Sequence, residues 1–450
     1  MTSNHPLRRS TAAALAVALW ATGAAVLPPA STASEAPAGA AAVTAQQSPS
    51  ARDDDDDDDD DGRPGTDIVV KLDPASGYTA DDLTRDFPVT LEDDVLASRQ
   101  IYLYRPTDPE TREDDDDAED LAKDIEKHQG VVFAELDAHT LLADDRYHSW
   151  PAGTPTKVKA RTRQFERQPM AKQFKLKRVH RISTGEGVRV AVLDTGVAGR
   201  HPVLRGRLRH GYDYVEDDSR PRDREQGLDR NANGVVDEAY GHGTFVAGLV
   251  ALVAPDARIM PMRVLDSDGA GSIYLVAQAI WDATDAGADV INLSLGTSEK
   301  VGSDLLDLAL KHAHDEGVEV VAAAGNSARD QQAYPAANKD VLAVTSVEVG
   351  RDSVSKFANW GGWVDVAAPA GRVLGPVPAR GFARWAGTSM AAPQVSGQLA
   401  LLIAAGAGRD EGEKATVETA RDFPDDERKR IKHGTVDLLS SLRYHLARQG

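Results

Sequence analysis

Four side chains have the types and settings for nucleophilic chemistry: Asp194, His242, Asn326 and Ser389. Ser389 lies in Gly387-Thr388-Ser389-Met390-Ala391-Ala392-Pro393, ahead of an apolar run from Val395 to Ile403. Val395, Leu399 and Leu402 fall on one helical face, which predicts a buried helix beginning near Ser389. The serine hydroxyl would then sit beside the unpaired N–H groups of a helix start, which can hold a developing oxyanion. His242 stands in Gly241-His242-Gly243-Thr244, where the flanking glycines permit close approach to the imidazole. Asp194 closes the apolar run Val188 to Leu193, and Thr195-Gly196 turn the chain at once. This set fits one chemistry, in which a histidine takes the serine proton while a buried carboxylate orients the imidazole and stabilises its cation. Asn326, after the apolar run Val318 to Ala324, could offer its side-chain N–H to the same oxyanion. Taken singly, Ser389 reads as a helix cap and Asn326 as a turn residue; it is the combination that points to catalysis.

The elements that must position these residues alternate. Apolar runs at Val188 to Leu193, Ala257 to Leu265, Val290 to Leu295, Val318 to Ala323 and Val341 to Val347 read as strands buried on both faces. Thr244 to Val253, Ile273 to Ala286 and Leu305 to Glu316 read as helices between them. The predicted fold class is α/β, a doubly wound parallel sheet whose working residues lie beyond the carboxyl ends of the strands. A smaller α+β module precedes it. Its expected strands are Ile68 to Leu72, Ile101 to Tyr104 and Val131 to Leu136, with helices over Thr79 to Phe87 and Glu119 to Gln129.

Composition divides the rest. The formal charge of -20 is concentrated in two runs, the nine aspartates Asp53 to Asp61 and the seven acidic residues of Glu113 to Asp120. The balance gives no footprint for nucleic acid. The absence of cysteine excludes a thiol nucleophile, thiolate metal sites and a disulfide scaffold. Arg8-Arg9 before the apolar segment Thr11 to Val26 has the layout of a secretory signal peptide, with small-residue cleavage contexts at Ser31-Thr32-Ala33 and Ala36-Pro37-Ala38. The expected organisation is a signal peptide over 1–34, a disordered acidic linker over 35–65, the small module over 66–143, a linker over 144–170, or an arm lying on the next domain, and the main domain over 171–450. A secreted, extracellular protein without a membrane span after signal cleavage follows from this layout.

Asp194-Thr195-Gly196, Gly241-His242-Gly243-Thr244 and Gly387 to Pro393 together resemble the three signature blocks of the subtilisin-like serine proteases, in that family's order of Asp, His and Ser. The resemblance runs from about Ala171 to Leu442 and takes in Asn292 to Gly296, Ala324-Gly325-Asn326 and Tyr334-Pro335-Ala336. It implies hydrolysis of protein or peptide substrates through an acyl-enzyme on Ser389, with no cofactor required for the chemistry. It implies that Ser294, Leu295 and Gly296 pair with the substrate backbone, and that Ala323, Ala324 and Gly325 form the other wall of the main specificity pocket. The small, apolar character of both walls suggests an uncharged residue before the scissile bond. It further implies that 66–143 is a propeptide that assists folding and acts as an intramolecular inhibitor. Two departures are Phe245, where the family usually carries a second histidine and where a packing effect is expected, and a long polar loop between Asp194 and His242.

That loop contains Asp229-Arg230-Asn231-Ala232-Asn233-Gly234-Val235-Val236-Asp237-Glu238. Asp229, Asn231, Asn233 and Asp237 occupy positions 1, 3, 5 and 9 of a possible structural calcium loop, with Gly234 at position 6, but Tyr240 replaces the expected glutamate at position 12. The alternative is a solvated acidic turn. Asp194-Thr195-Gly196 is also an aspartic-protease triplet, but that reading needs a second copy and leaves His242 and Ser389 idle. A non-enzymatic alternative is a catalytically idle, secreted acidic binding protein on a protease scaffold.

Overall fold

Short apolar runs between amphipathic stretches call for a parallel sheet covered by helices on both faces, and the chain builds one. The computed structural model describes residues 65–142, 155–230, 234–297, 302–351, 353–423 and 431–449, all within one compact unit, Asp60–Gly450. The expected signal peptide and nearly all of the expected acidic linker lie outside the described residues.

The main sheet has eight strands in the order Gly434–Thr435, Val366–Pro369, Leu342–Val347, Glu319–Ala323, Val290–Leu293, Arg189–Asp194, Arg258–Arg263 and Tyr212–Asp213. Every pairing within it is parallel. Alternation along Arg189–Asp194 feeds both faces. Val190 and Val192 join the cluster that holds the helices His242–Val253 and Ala392–Ala404, while Ala191 and Leu193 join the one that holds Ile273–Asp285 and Asp304–Asp315. Successive strands leave Arg189–Asp194 first on one side and then on the other, so the order reverses there and a crevice forms beyond its carboxyl end. The helices His242–Val253 and Ala392–Ala404 lie close together; a Cβ on Gly397 would fall 2.6 Å from that of Val253.

The small module is a four-stranded antiparallel sheet in the order Val89–Asp93, Ile101–Pro106, Ile68–Leu72, Val131–Leu136, with helices at Ala80–Asp86 and Asp115–Glu126. Its two faces have different partners. Ile68, Val70 and Leu72 pack with Leu83, Tyr104 and Ile125 into a core of their own. Val69, Ile101 and Phe133 pack instead against Ile273, Tyr274, Leu305 and Leu306 of the main domain.

Two expected boundaries move. The helix expected over Glu119 to Gln129 occupies Asp115–Glu126, because the Asp114 carboxylate accepts from the N–H groups of Asp116 and Asp117 at 2.9 and 3.3 Å. Acidic residues suit the positive end of a helix, so part of the charge run is the first turn of this one. The second lies in 144–170, read as a linker or as an arm on the next domain: from Thr156 on it is such an arm, since Thr156–Val158 pairs with Gly381–Trp385, and Phe165 and Met170 are buried in the main core.

Candidate active site

Asp194 ends its strand at the switch point, and both it and His242 are buried. The Asp194 Oδ1 lies 2.8 Å from His242 Nδ1 and accepts from its own neighbour, Thr195 N–H, at 2.8 Å. His242 opens the helix His242–Val253, and the next residue must be glycine: a Cβ on Gly243 would lie 2.2 Å from Gly196 O. The Gly243 N–H donates to Thr195 Oγ1 at 3.0 Å, so the Asp194 turn and the histidine helix are joined by backbone as well as by side chain. The Trp385 ring stands edge-on to the imidazole at 5.1 Å and is backed by Phe245 at 5.7 Å. Phe245 is wholly buried in this stack, the packing role expected of it.

Trp385 precedes Ser389 by four residues, so the same segment that packs on His242 carries the serine. Ser389 is buried in a single 3-10 turn, Thr388–Met390, and the α-helix starts only at Ala392. The predicted helix start is therefore displaced by about one turn. Pro393 suits the first turn of the α-helix, where a missing N–H costs no hydrogen bond. Ser389 Oγ donates to Ser294 O at 3.3 Å, and Ser294 Oγ donates back to Ser389 O at 3.0 Å. Behind Ser294, Asn292 Nδ2 donates to Ser294 Oγ, and Ser396 Oγ donates to Asn292 Oδ1, each at 2.9 Å.

Asn326 follows the strand Glu319–Ala323 and is tied to the serine turn. Thr388 N–H donates to Asn326 Oδ1 at 2.9 Å, which makes Nδ2 the donor end of the amide, and Gly325 N–H donates to Thr388 Oγ1 at 3.0 Å. Asp194 is thus hydrogen-bonded to His242, and Ser389 is tied to Ser294 and, through Thr388, to Asn326, with Trp385, four residues before Ser389, packed on the imidazole. Ala323 and Ala324 are buried at the strand end, next to Gly325.

The profile of the Subtilase family matches residues 185–433. The chain belongs to the subtilase family. It is 40% identical to thermitase of Thermoactinomyces vulgaris over 235 residues, covering 50% of this chain and 78% of thermitase. It is 36% identical to the thermophilic serine proteinase of Bacillus sp. (strain AK1) over 268 residues, 57% of this chain and 62% of that protein. Fervidolysin from Fervidobacterium pennivorans shares the fold, with a TM-score of 0.66 over 84% of this chain and 60% of its own, at 24% identity. As a subtilase this protein is a serine endopeptidase with an α/β fold, and its family needs no cofactor for catalysis.

In this subtilase the strand His139–Leu142, which the sequence did not disclose, lies between Ala270–Ser272 and Leu295–Thr297, antiparallel to both. Leu295 pairs with Leu142 and Gly296 with Leu141. The candidate calcium loop is described in part, since Asn231 and Asn233 lie outside the described residues. Asp229 Oδ2 accepts from Gly234 N–H at 3.0 Å, and Gly234 has the left-handed φ of +82° that a tight turn needs. Asp237 Oδ1 accepts from the N–H groups of Gln226, Gly227 and Leu228 at 3.0, 2.9 and 3.2 Å and from the Ser267 hydroxyl, which fixes its carboxylate against the 226–228 turn. Among the described residues no group of three or more histidine or acidic side chains is gathered as a metal site would be. Sequence reasoning also passed over Asp223, which lies in a polar loop with no periodicity to mark it.

Proposed function

We propose that this subtilase is made as a secreted preproenzyme and cleaves peptide bonds through an acyl-enzyme on Ser389. His242 takes the Ser389 Oγ proton as that oxygen attacks the scissile carbonyl carbon. Asp194, fixed by Thr195 N–H, holds the imidazole by Nδ1 and stabilises the cation. Asn326 Nδ2 and the Ser389 backbone N–H receive the oxyanion. Collapse of the tetrahedral species breaks the C–N bond, and the imidazolium returns its proton to the leaving amine. Water then repeats the sequence on the acyl-enzyme, with His242 again the base. The observation that carries this reading is the buried 2.8 Å contact between His242 Nδ1 and Asp194 Oδ1, in a chain whose Trp385 to Ser389 segment packs on the same imidazole. The test is Ser389→Ala, expected to abolish hydrolysis and to leave full-length precursor; normal processing of that variant would assign maturation to another protease.

Residues 66–143 act as the propeptide. The strand His139–Leu142 supports this, because it adds to two edge strands as an extended substrate would. Its ladder reaches Leu142 opposite Leu295, one residue from Ser294, whose carbonyl meets Ser389 Oγ. The bond after Ala143 is therefore the expected maturation cut, with a small uncharged residue before it. N-terminal sequencing of the mature enzyme should begin at Asp144; a start beyond Thr156 would contradict this assignment. Ser294, Leu295 and Gly296, with Ala323, Ala324 and Gly325 opposite, line the substrate path.

Secretion rests on the signal-like segment 1–34. Among the described residues no helix is long and apolar enough to cross a membrane. Two relatives, from Bacillus subtilis and Paenibacillus polymyxa, are named as intracellular proteases, so the compartment is decided by fractionating the native producer. A structural calcium at the loop of 229–234 is the remaining part of the reading. It is supported by the Asp229 to Gly234 hydrogen bond, with Asn231, Asn233 and Asp237 as the other ligands of the proposed site. Chelator is expected to lower the unfolding temperature of the wild type and not of Asp229→Asn; equal unfolding temperatures of the wild type with and without chelator would refute it.

A further inference from the structure

Asp223 is a buried acidic residue, close enough to feel the Asp194 charge, that the proposed reaction does not use. Its Oδ1 accepts from Gly241 N–H at 2.9 Å and its Oδ2 from Thr244 N–H at 3.1 Å and from the Thr244 hydroxyl. None of these partners is cationic, and all three belong to the start of the helix that carries His242. That start lacks a side-chain cap of its own, since its N-cap is Gly241, with φ +98°. Asp223 supplies the cap from another segment of chain, and that segment also grips the Asp194 side. Val197 N–H donates to Pro221 O at 2.9 Å, and a Cβ on Gly196 would lie 2.7 Å from Arg222 C. Ala198 N–H donates to Thr244 Oγ1 at 2.9 Å. Residues 194–198, 221–223 and 241–244 therefore lock together around the Asp194–His242 hydrogen bond.

A neutral serine or asparagine caps a helix adequately, whereas a buried carboxylate without a cation is costly to keep. Burial, with Asp194 close by, pushes the Asp223 carboxyl up to about 7 against the pull of its three donors.

We propose that Asp223 is a positioning residue for His242: it fixes the first turn of the histidine helix against the Asp194 turn. This rests on the reading of Ser389 and His242 given above. The two are separated by first titrating full-length-derived active enzyme with a serine-directed phosphonate. If the wild type takes up no label, it is the reaction assignment that fails.

The test is Asp223→Asn, with kcat expressed per titrated serine. Asn keeps the size, removes the charge and turns an amide N–H toward a donor. The expected result is a fall in kcat of ~10–100-fold with KM nearly unchanged, because a displaced imidazole costs turnover and not substrate binding. A wild-type kcat, with only a lower unfolding temperature, would overturn the proposal and leave Asp223 as a cap. If Asp223→Asn yields no titratable enzyme, Thr244→Val decides: a smaller change in the same direction supports the proposal, and a wild-type profile overturns it. Thr244→Ser retains the hydroxyl and should behave as wild type.

Discussion

Three helices on the edge and flank of this domain begin under a carboxylate from elsewhere in the chain, and they differ in whether they can do without it. Asp223 caps the helix His242–Val253, whose own N-cap is a glycine. Asp137 accepts from Tyr274 N–H at 2.9 Å at the start of Ile273–Asp285. Glu135 accepts from Ser303 Oγ at 2.6 Å and from the N–H groups of Asp304 and Leu305 at 2.9 and 3.1 Å at the start of Asp304–Asp315. The last two helices also have serine caps of their own: Ser272 Oγ accepts from Leu275 N–H and Ser303 Oγ from Leu306 N–H. Asp137 and Glu135 come from the segment proposed to leave on maturation, while Asp223 stays. The helix without a side-chain cap of its own is thus capped from within the main domain, while the two with serine caps receive their extra carboxylates from the small module.

The sharpest contrast between the two regions comes from Asn326→Ala on the reactive rim, expected to lower kcat by about 10²–10³-fold, the scale recorded for loss of one such donor in subtilisin. Steady-state kinetics per titrated serine would show it; a change confined to KM would remove Asn326 from the oxyanion role. On the docking face, Glu135→Ala should leave kcat of the matured enzyme within about twofold and instead destabilise the Ser389→Ala precursor, by ~1–3 kcal/mol for helix-start donors left without a buried partner. Denaturant unfolding of that precursor measures it, and a loss of kcat in matured enzyme would erase the distinction between the regions.

The docking face should also respond to pH. Burial raises the Asp137 carboxyl from its ordinary value of 3.8 to about 7. A group raised on docking favours the docked state below its free value and loses that contribution as pH climbs through the raised one. The Ser389→Ala precursor should therefore lose stability between about pH 4 and pH 7 by an amount that Asp137→Asn largely removes. A precursor whose stability rises over that range, with Asp137→Asn unchanged from it, would count against the assignment. The smallest effect is expected at Arg99, which pairs with Asp285 at 2.9 Å and lies 4.9 Å over the Trp281 ring at the edge of the same interface. Arg99→Ala should weaken docking by no more than about 1 kcal/mol, since the pair is part-exposed.

Legibility followed locality. Arg189–Asp194, Val290–Leu293 and Glu319–Ala323 were readable because strands covered on both faces are continuous apolar runs. The helices Ile273–Asp285 and Asp304–Asp315 were readable from their periodicity. Asp194, His242 and Ser389 stood out because each sits in a short block with small neighbours. His139–Leu142 was missed because its pairing is supplied by residues more than a hundred positions away, and Val373–Val377 and Gly381–Trp385 because a glycine- and proline-bearing hairpin masks alternation. Asp223 left no signal because the acceptor role of a carboxylate depends on which backbone N–H groups fold toward it, and sequence does not record that.

The proposed reaction turns on Ser389 as the nucleophile activated by His242. Treating the processed protein with a serine-directed fluorophosphonate and mapping the adduct by peptide mass spectrometry addresses this directly. A single adduct on Ser389, lost in His242→Ala, is the predicted result. No adduct on folded, processed protein, or one on a different serine, would contradict it.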